Sequence, residues 1–257
     1  MSVSPNFHRF KEPLGNLSLP ERLNNPFDYQ PNALLLAATS EVQELLRSTH
    51  WNHNFGLGEV SVTKPIGKMF GVLVVRNTAN EVGYLAGFSG KIGGKNHFKG
   101  FVPPVYDGLK EGSFLNLGMQ ELTRINAQIS KLDDEHGIDH TQEIIELKKL
   151  RRDNSNALQG RIFDNYQFLN VQGESKSLKE IFDATHHSNP PGGAGECAAP
   201  KLLQYAFLNK FQPLAIAEFF WGHSPKSVNW KHMSFYPACT HKCRPILNHM
   251  LKGIDLQ

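Results

Sequence analysis

Cysteine is scarce in this chain: three of 257 residues, Cys197, Cys239 and Cys243, all late in the sequence. An odd, late-clustered set does not make a disulfide framework, so the thiols are expected to be reduced and the compartment cytoplasmic. Long apolar runs are missing too. Ala33 to Ala38 and Pro213 to Trp221 are the most apolar stretches, and both fall far short of the roughly 20 residues a membrane-spanning helix needs. The N-terminus sets Pro5, Pro13 and Pro20 among polar residues with no basic stretch leading into an apolar one, so no secretory signal is expected. Neither charge dominates. With 27 basic and 24 acidic residues the net charge is +3, which permits nucleic acid as a partner without demanding it. A phosphate-binding glycine loop and a dinucleotide fingerprint are both absent, and Gly87-Phe88-Ser89-Gly90 lacks the spacing of a nucleophile elbow.

Hydrophobic residues make up 40% of the chain, enough for a buried core. Their spacing predicts an α/β domain over residues 1–257, with no internal repeat. Asn32 to Arg47 carries Leu35, Val42, Leu45 and Leu46 at helical intervals. Lys68 to Arg76 and Val82 to Ser89 are short runs rich in β-branched and aromatic residues joined by Asn77 to Asn80, the pattern of a hairpin. Gly90 to Gly108, dense in glycine, proline and lysine, reads as an ordered loop over the strand ends. Between residues 116 and 160 the composition turns polar, with Leu122, Ile125, Ile129 and Leu132 and then Ile144, Leu147 and Leu150 at helical spacing around a break near Gly137. This predicts an inserted helical hairpin, packed on its own domain rather than on a second chain. Its Lys148, Lys149, Arg151 and Arg152 read as a solvated face. Arg161 to Val171 returns the chain to the core, and Leu178 to Phe182 forms a helical turn. Pro213 to Trp221 is expected to be a buried strand.

The cysteines lie where helices begin. Pro190 to Gly195 leads through Glu196 into Cys197 and an amphipathic helix, while Cys239 and Cys243 precede a last helix. Unpaired N–H groups at such ends stabilise thiolates, which are good zinc ligands. Two cysteines four apart can chelate one ion, with Cys197 arriving from the neighbouring helix. The fourth position would fall to water, substrate or one of His232, His241 and His249. An open fourth position is the catalytic pattern and a closed one the structural pattern. The competing reading is three buried thiols without metal. His186 and His187 read as exposed loop residues.

The strand pair, then Cys-Ala-Ala-Pro-Lys-Leu-Leu, then Pro-Ala-Cys-x-x-x-Cys, resembles the zinc-dependent cytidine deaminase-like superfamily, whose motifs are a His or Cys followed two residues later by Glu, and Pro-Cys-x-x-Cys. The resemblance implies a three-layer sandwich with a mixed sheet and zinc held by Cys197, Cys239 and Cys243. It puts the proton-shuttling Glu at Ala199, which has no proton to move, leaving Glu196 or Glu218 as substitutes. The segments LPERLNNPFDYQP, HNFGLGE, IGKMFGVLVVRN, GYLAGFSGKI, FVPPVYD, INAQI, GECAAPKLLQYAFL, PLAIAEFFWG and FYPACTHKCRPIL look like the N-terminal region of long bacterial RluA-type RNA pseudouridine synthases, in which a helical insertion of variable length precedes the synthase domain. That likeness implies a role in RNA modification. The synthase hallmark, Arg-Leu-Asp, is absent, and Asp164 in Gly160-Arg161-Ile162-Phe163-Asp164 is not its equivalent. The chain is therefore expected to be either a fragment or a free-standing accessory protein that works with a synthase domain.

Three functional classes follow. The first is a zinc-stabilised accessory domain that binds tRNA or ribosomal RNA, with Lys91, Lys95, Lys99, Phe98 and Phe101 of the glycine-rich loop meeting phosphates and bases. The second is a zinc hydrolase or deaminase in which Glu196 or Glu218 moves protons. The third is an interaction protein using the helical hairpin.

Overall fold

The computed structural model describes residues 4–15, 17–58, 64–110, 112–135, 139–185, 189–224 and 229–257. Gly137, His186 and His187 lie outside them. The chain forms two compact units, residues 1–105 with 167–257, and residues 106–166.

The first unit is built on a sheet. In chain order its described elements are β1 (His8–Arg9), α1 (Ala33–Ser48), β2 (Lys68–Arg76) and β3 (Val82–Phe88), followed after the second unit by β4 (Gln167–Leu169), β5 (Ser175–Ser177), α4 (Leu178–Asp183), α5 (Ala198–Leu208), β6 (Gln212–Trp221), β7 (Phe235–Tyr236) and α6 (Arg244–Met250). The expected helix, hairpin and late strand are all present, each within about a residue or two of its predicted limits. Asn32 starts α1 by accepting the Leu35 N–H at 2.9 Å, which satisfies a donor that has no partner within the helix. Asn77 organises the β2–β3 turn, its side-chain oxygen accepting from Ala79 and Glu81 at 2.9 Å each.

The strands run in the order β1-β3-β2-β6-β7, and every neighbouring pair is antiparallel. The expected mixed sheet is therefore replaced by an antiparallel one. The reason is the connection after β6: a parallel neighbour needs a crossover, usually helical, and between β6 and β7 no helix occurs among the described residues, so the chain doubles back.

Alternation along the strands sends side chains to two faces. Phe70, Val72 and Val74 of β2, with Tyr84, Ala86 and Phe88 of β3 and Ala217, Phe219 and Trp221 of β6, meet Leu35, Ala38, Val42 and Leu46 of α1 in one buried cluster. The opposite face, at Gly71 and Gly87, receives α5. A Cβ on Gly71 would stand 2.9 Å from both the Ala198 methyl and Leu202, so glycine lets the first turn of α5 approach the sheet. Helices thus cover both faces.

The free edge of β6 is closed by side chains. Asn24 donates to Ile216 O at 2.9 Å and accepts from Ile216 N at 2.8 Å, imitating a strand. The Tyr29 hydroxyl accepts from Glu218 N at 2.9 Å and donates to Tyr236 O at 3.1 Å.

The second unit is a hairpin of α2 (Phe114–Asp134) and α3 (Thr141–Asn165), longer at each end than the expected 116–160 insertion. Ile125, Ile129 and Leu158 form its buried seam. Leu150, expected on that seam, is exposed, because α3 has almost no consistent apolar face. Lys148, Lys149, Arg151 and Arg152 are exposed as well. No helix among the described residues is long and apolar enough to cross a membrane.

Candidate metal centre

Cys197 is the N-cap of α5, and its side chain makes no capping hydrogen bond. The approach is a glycine turn: Gly193 and Gly195 take positive φ of 76° and 87°, and Ala194 N and Glu196 N donate to Pro191 O and Gly193 O. Cys243 is the N-cap of α6, with Pro245 in its first turn. Lys242 reaches back to donate to Gly192 O at 2.6 Å, tying the loop of Cys239 and Cys243 to the turn before Cys197.

These local choices bring three sulfurs together. Cys239 Sγ and Cys243 Sγ are 3.4 Å apart, and all three Sγ atoms lie within 4.8 Å of one another. Cys243 is buried, Cys197 half-buried and Cys239 exposed. Such a set can hold a metal ion. Without one, hydrogen bonds from Cys197 and Cys243 drive the Cys239 thiol down to about 2. The hydrogen bond with Cys239 pushes Cys197 up to about 12, and hydrogen bonds with Cys197 and then Cys239 push Cys243 up. A bound cation would favour the thiolate form of the sulfurs and release their protons.

Three histidines were candidates for a fourth ligand, and none joins the sulfur set. His249, a buried residue of α6, bonds to Phe168 O through Nε2 at 2.9 Å. His232 accepts from Gly222 N through Nδ1 at 3.0 Å, its ring 4.5 Å from that of Trp221. His241 is exposed between the two cysteines.

The two candidate carboxylates differ. Glu196 lies 3.4 Å from the Lys201 ammonium. Glu218, on β6 opposite Gly71, is buried, and its Oε1 accepts the Ala199 N–H at 3.1 Å. Burial pushes its carboxyl up to about 7 against the hydrogen bonds from Ala199 and Ala198, and the Cys239 charge pushes the same way. Glu218 is not part of the close sulfur set, so it is a neighbour of the centre and not a ligand in this geometry.

Two supporting residues were not singled out from sequence. Ser89 Oγ accepts the Ala198 N–H at 3.1 Å. Lys201 is buried, donates to Phe88 O and Gly90 O at 3.2 Å each, and has its affinity for the proton lowered by burial. A lysine on an otherwise apolar helix face, one turn after Cys197, was the available signal for it.

The lysine loop divides. Lys91, Lys95 and Lys99 are exposed. Phe101 is 3% exposed, and Phe98 packs at 4.6 Å on Trp51 and 5.6 Å on Phe88. Burying a phenyl ring contributes roughly 1.5–3 kcal/mol to the core; Phe101 is part of that core, and Phe98 is partly buried against it.

Compared with known proteins, the chain matches no family model, no curated protein and no solved structure, so the chemistry of the centre is read from its own residues.

Proposed function

We propose that this chain is a zinc-binding accessory domain for RNA pseudouridine synthesis, in which the metal fastens α5 to the start of α6 and the lysine loop contacts RNA phosphates. The observation that carries the zinc reading is the meeting of three thiols from positions 197, 239 and 243 within 4.8 Å. Tetrahedral zinc with sulfur at about 2.3 Å needs sulfurs about 3.8 Å apart, so the cluster fits with small adjustments. Thiolates select zinc over the hard cations magnesium and calcium. The deaminase-like core and the link to RNA rest on the sequence resemblance. Three exposed lysines on one loop support phosphate contact.

Filter binding of tRNA and ribosomal RNA fragments at two salt concentrations tests this reading. Binding should weaken with salt, and Lys91→Ala/Lys95→Ala/Lys99→Ala should reduce the log-log salt slope by about 2 for single-stranded RNA. No binding at low salt would remove the RNA role.

A second reading is favoured by one observation, the Glu218 carboxylate held beside the thiols at the N-H of Ala199. Zinc, when bound, supplies an activated water for hydrolysis or deamination. Glu218 would hold and pass the proton, taking the part that Ala199 cannot. Glu196, paired with Lys201, is the weaker candidate. Ammonia release from cytidine, adenosine or guanine nucleosides, abolished in Glu218→Gln, would establish this reading in place of the first.

A further inference from the structure

Away from the cysteines, the segment that follows α1 forms a recess of about 690 Å³ with the end of β6. That volume lies within the range of small-ligand sites, roughly 300–1,000 Å³. Half-buried Trp51 contributes a ring, Phe55 and Trp221 line the recess as buried side chains, and Arg47, His50, Asn52 and His53 contribute polar groups. No Asp or Glu lines it among the described residues. Arg47 holds its guanidinium carbon 5.4 Å from the centre of the Trp221 ring. Glu44, one turn earlier, is bound by Lys11 at 2.6 Å. His53 donates through Nε2 to Ile66 O at 2.7 Å, which fixes its ring. His50 and Asn52 are exposed.

The recess adjoins the lysine loop. Ile92 and Lys95 close a tight turn through mutual backbone bonds of 2.9 and 3.0 Å. Inside that turn, Gly93 has φ of 54° and sits so near Asn52 that an added Cβ would stand 2.3 Å from the Asn52 carbonyl oxygen. Lys91 and Lys95 therefore flank the point where the turn meets the recess. The half-buried Trp51 ring, a cation, and amide and imidazole groups, with phosphate-seeking lysines at the border, suit a nucleotide in a single strand: a flat base, polar edges and a charged backbone on both sides.

We propose that the recess formed by Arg47, His50, Trp51, Asn52, His53 and Trp221 receives one nucleotide of single-stranded RNA, with Arg47 and His50 at its phosphate and Lys91 and Lys95 on the phosphates beyond. The proposal rests on the RNA reading above and locates where that RNA sits.

The test is fluorescence anisotropy of a labelled decauridine oligonucleotide with the full chain at two salt concentrations, alongside quenching of tryptophan emission by uridine monophosphate. Arg47→Ala/His50→Ala should weaken the oligonucleotide at least about tenfold, lower the salt slope by about 0.7 and abolish quenching by the mononucleotide. Lys179→Ala, a matched loss of charge on α4, should change none of these. Asn52→Asp, which introduces a carboxylate without removing bulk, should weaken binding even if the double variant does not fold. Undiminished binding by Arg47→Ala/His50→Ala and by Asn52→Asp would overturn the recess and leave the RNA reading standing. Failure of the native chain to bind the oligonucleotide at low salt would overturn both.

Discussion

The Glu218 carboxylate, projecting from the middle of the sheet, accepts the N–H of Ala199 at 3.1 Å, two residues beyond Cys197. Gly71 makes this possible. It faces Glu218 across the β2–β6 pair, and its missing side chain leaves room for the first turn of α5.

Stability of the metal-free protein should therefore depend on pH through Glu218. Its folded-state value of about 7 lies above the ordinary 4.5, so the folded state holds the proton more tightly than the unfolded chain does. That contribution is fully present below about pH 4.5, declines as pH rises and is gone above about pH 7, amounting to about 3 kcal/mol in all. Urea unfolding from pH 4.5 to 7.5 should show this decline relative to Glu218→Gln. Parallel profiles for the two proteins would remove Glu218 as the source.

Gly71→Ala should drive Ala198 and Leu202 from their places, since the added Cβ would meet both at 2.9 Å. Overpacking of this kind costs about 1–3 kcal/mol, and it acts on the turn that carries Cys197. A lower unfolding temperature together with weaker metal retention in competition with a chelator is expected. Unchanged metal retention would mean that the first turn of α5 moves without disturbing the sulfurs.

Lys201→Met keeps the apolar stem of the side chain and removes the ammonium, leaving Phe88 O and Gly90 O without this donor. Losing two hydrogen bonds from a charged group should destabilise the fold by about 2–4 kcal/mol. Thermal unfolding measures it. A neutral result would show that the carbonyls find water.

Asn24→Ala should uncover the β6 edge at Ile216, where one side chain supplies both a donor and an acceptor. The expected loss is about 1–3 kcal/mol, with faster amide exchange at Ile216. Protection at Ile216 equal to that of the native chain would contradict the edge-sealing role.

Much of this fold was legible in the sequence because the elements carry strong periodic signals. Leu35, Val42 and Leu46 mark the buried side of α1, and KMFGVLVVR has no alternative to a buried strand. The cysteines were legible for another reason: Cys197 and Cys243 stand at helix starts marked by neighbouring glycine and proline, and Cys239 lies in the loop just before α6. What sequence did not disclose depends on partners distant along the chain. Asn24 and Tyr29 resemble any loop polar residues until β6 lies beside them. Phe98 and Phe101 sit among lysines and glycines, a setting that suggests a surface, yet both pack on Trp51 from a different segment, Phe101 buried and Phe98 partly so. The sheet direction after β6 depended on a connection whose local residues carry no strong pattern. The hairpin was visible, but α3 lacks a continuous apolar stripe, so its inner face could not be assigned from spacing.

The most direct examination of the three-thiolate centre is zinc-edge X-ray absorption on protein purified under reducing conditions, combined with total metal analysis. One zinc per chain with three sulfur neighbours at about 2.3 Å is expected, and Cys197→Ser, Cys239→Ser or Cys243→Ser should each reduce the sulfur count or release the metal. A chain that carries no stoichiometric metal, or a zinc surrounded only by nitrogen and oxygen, would contradict it.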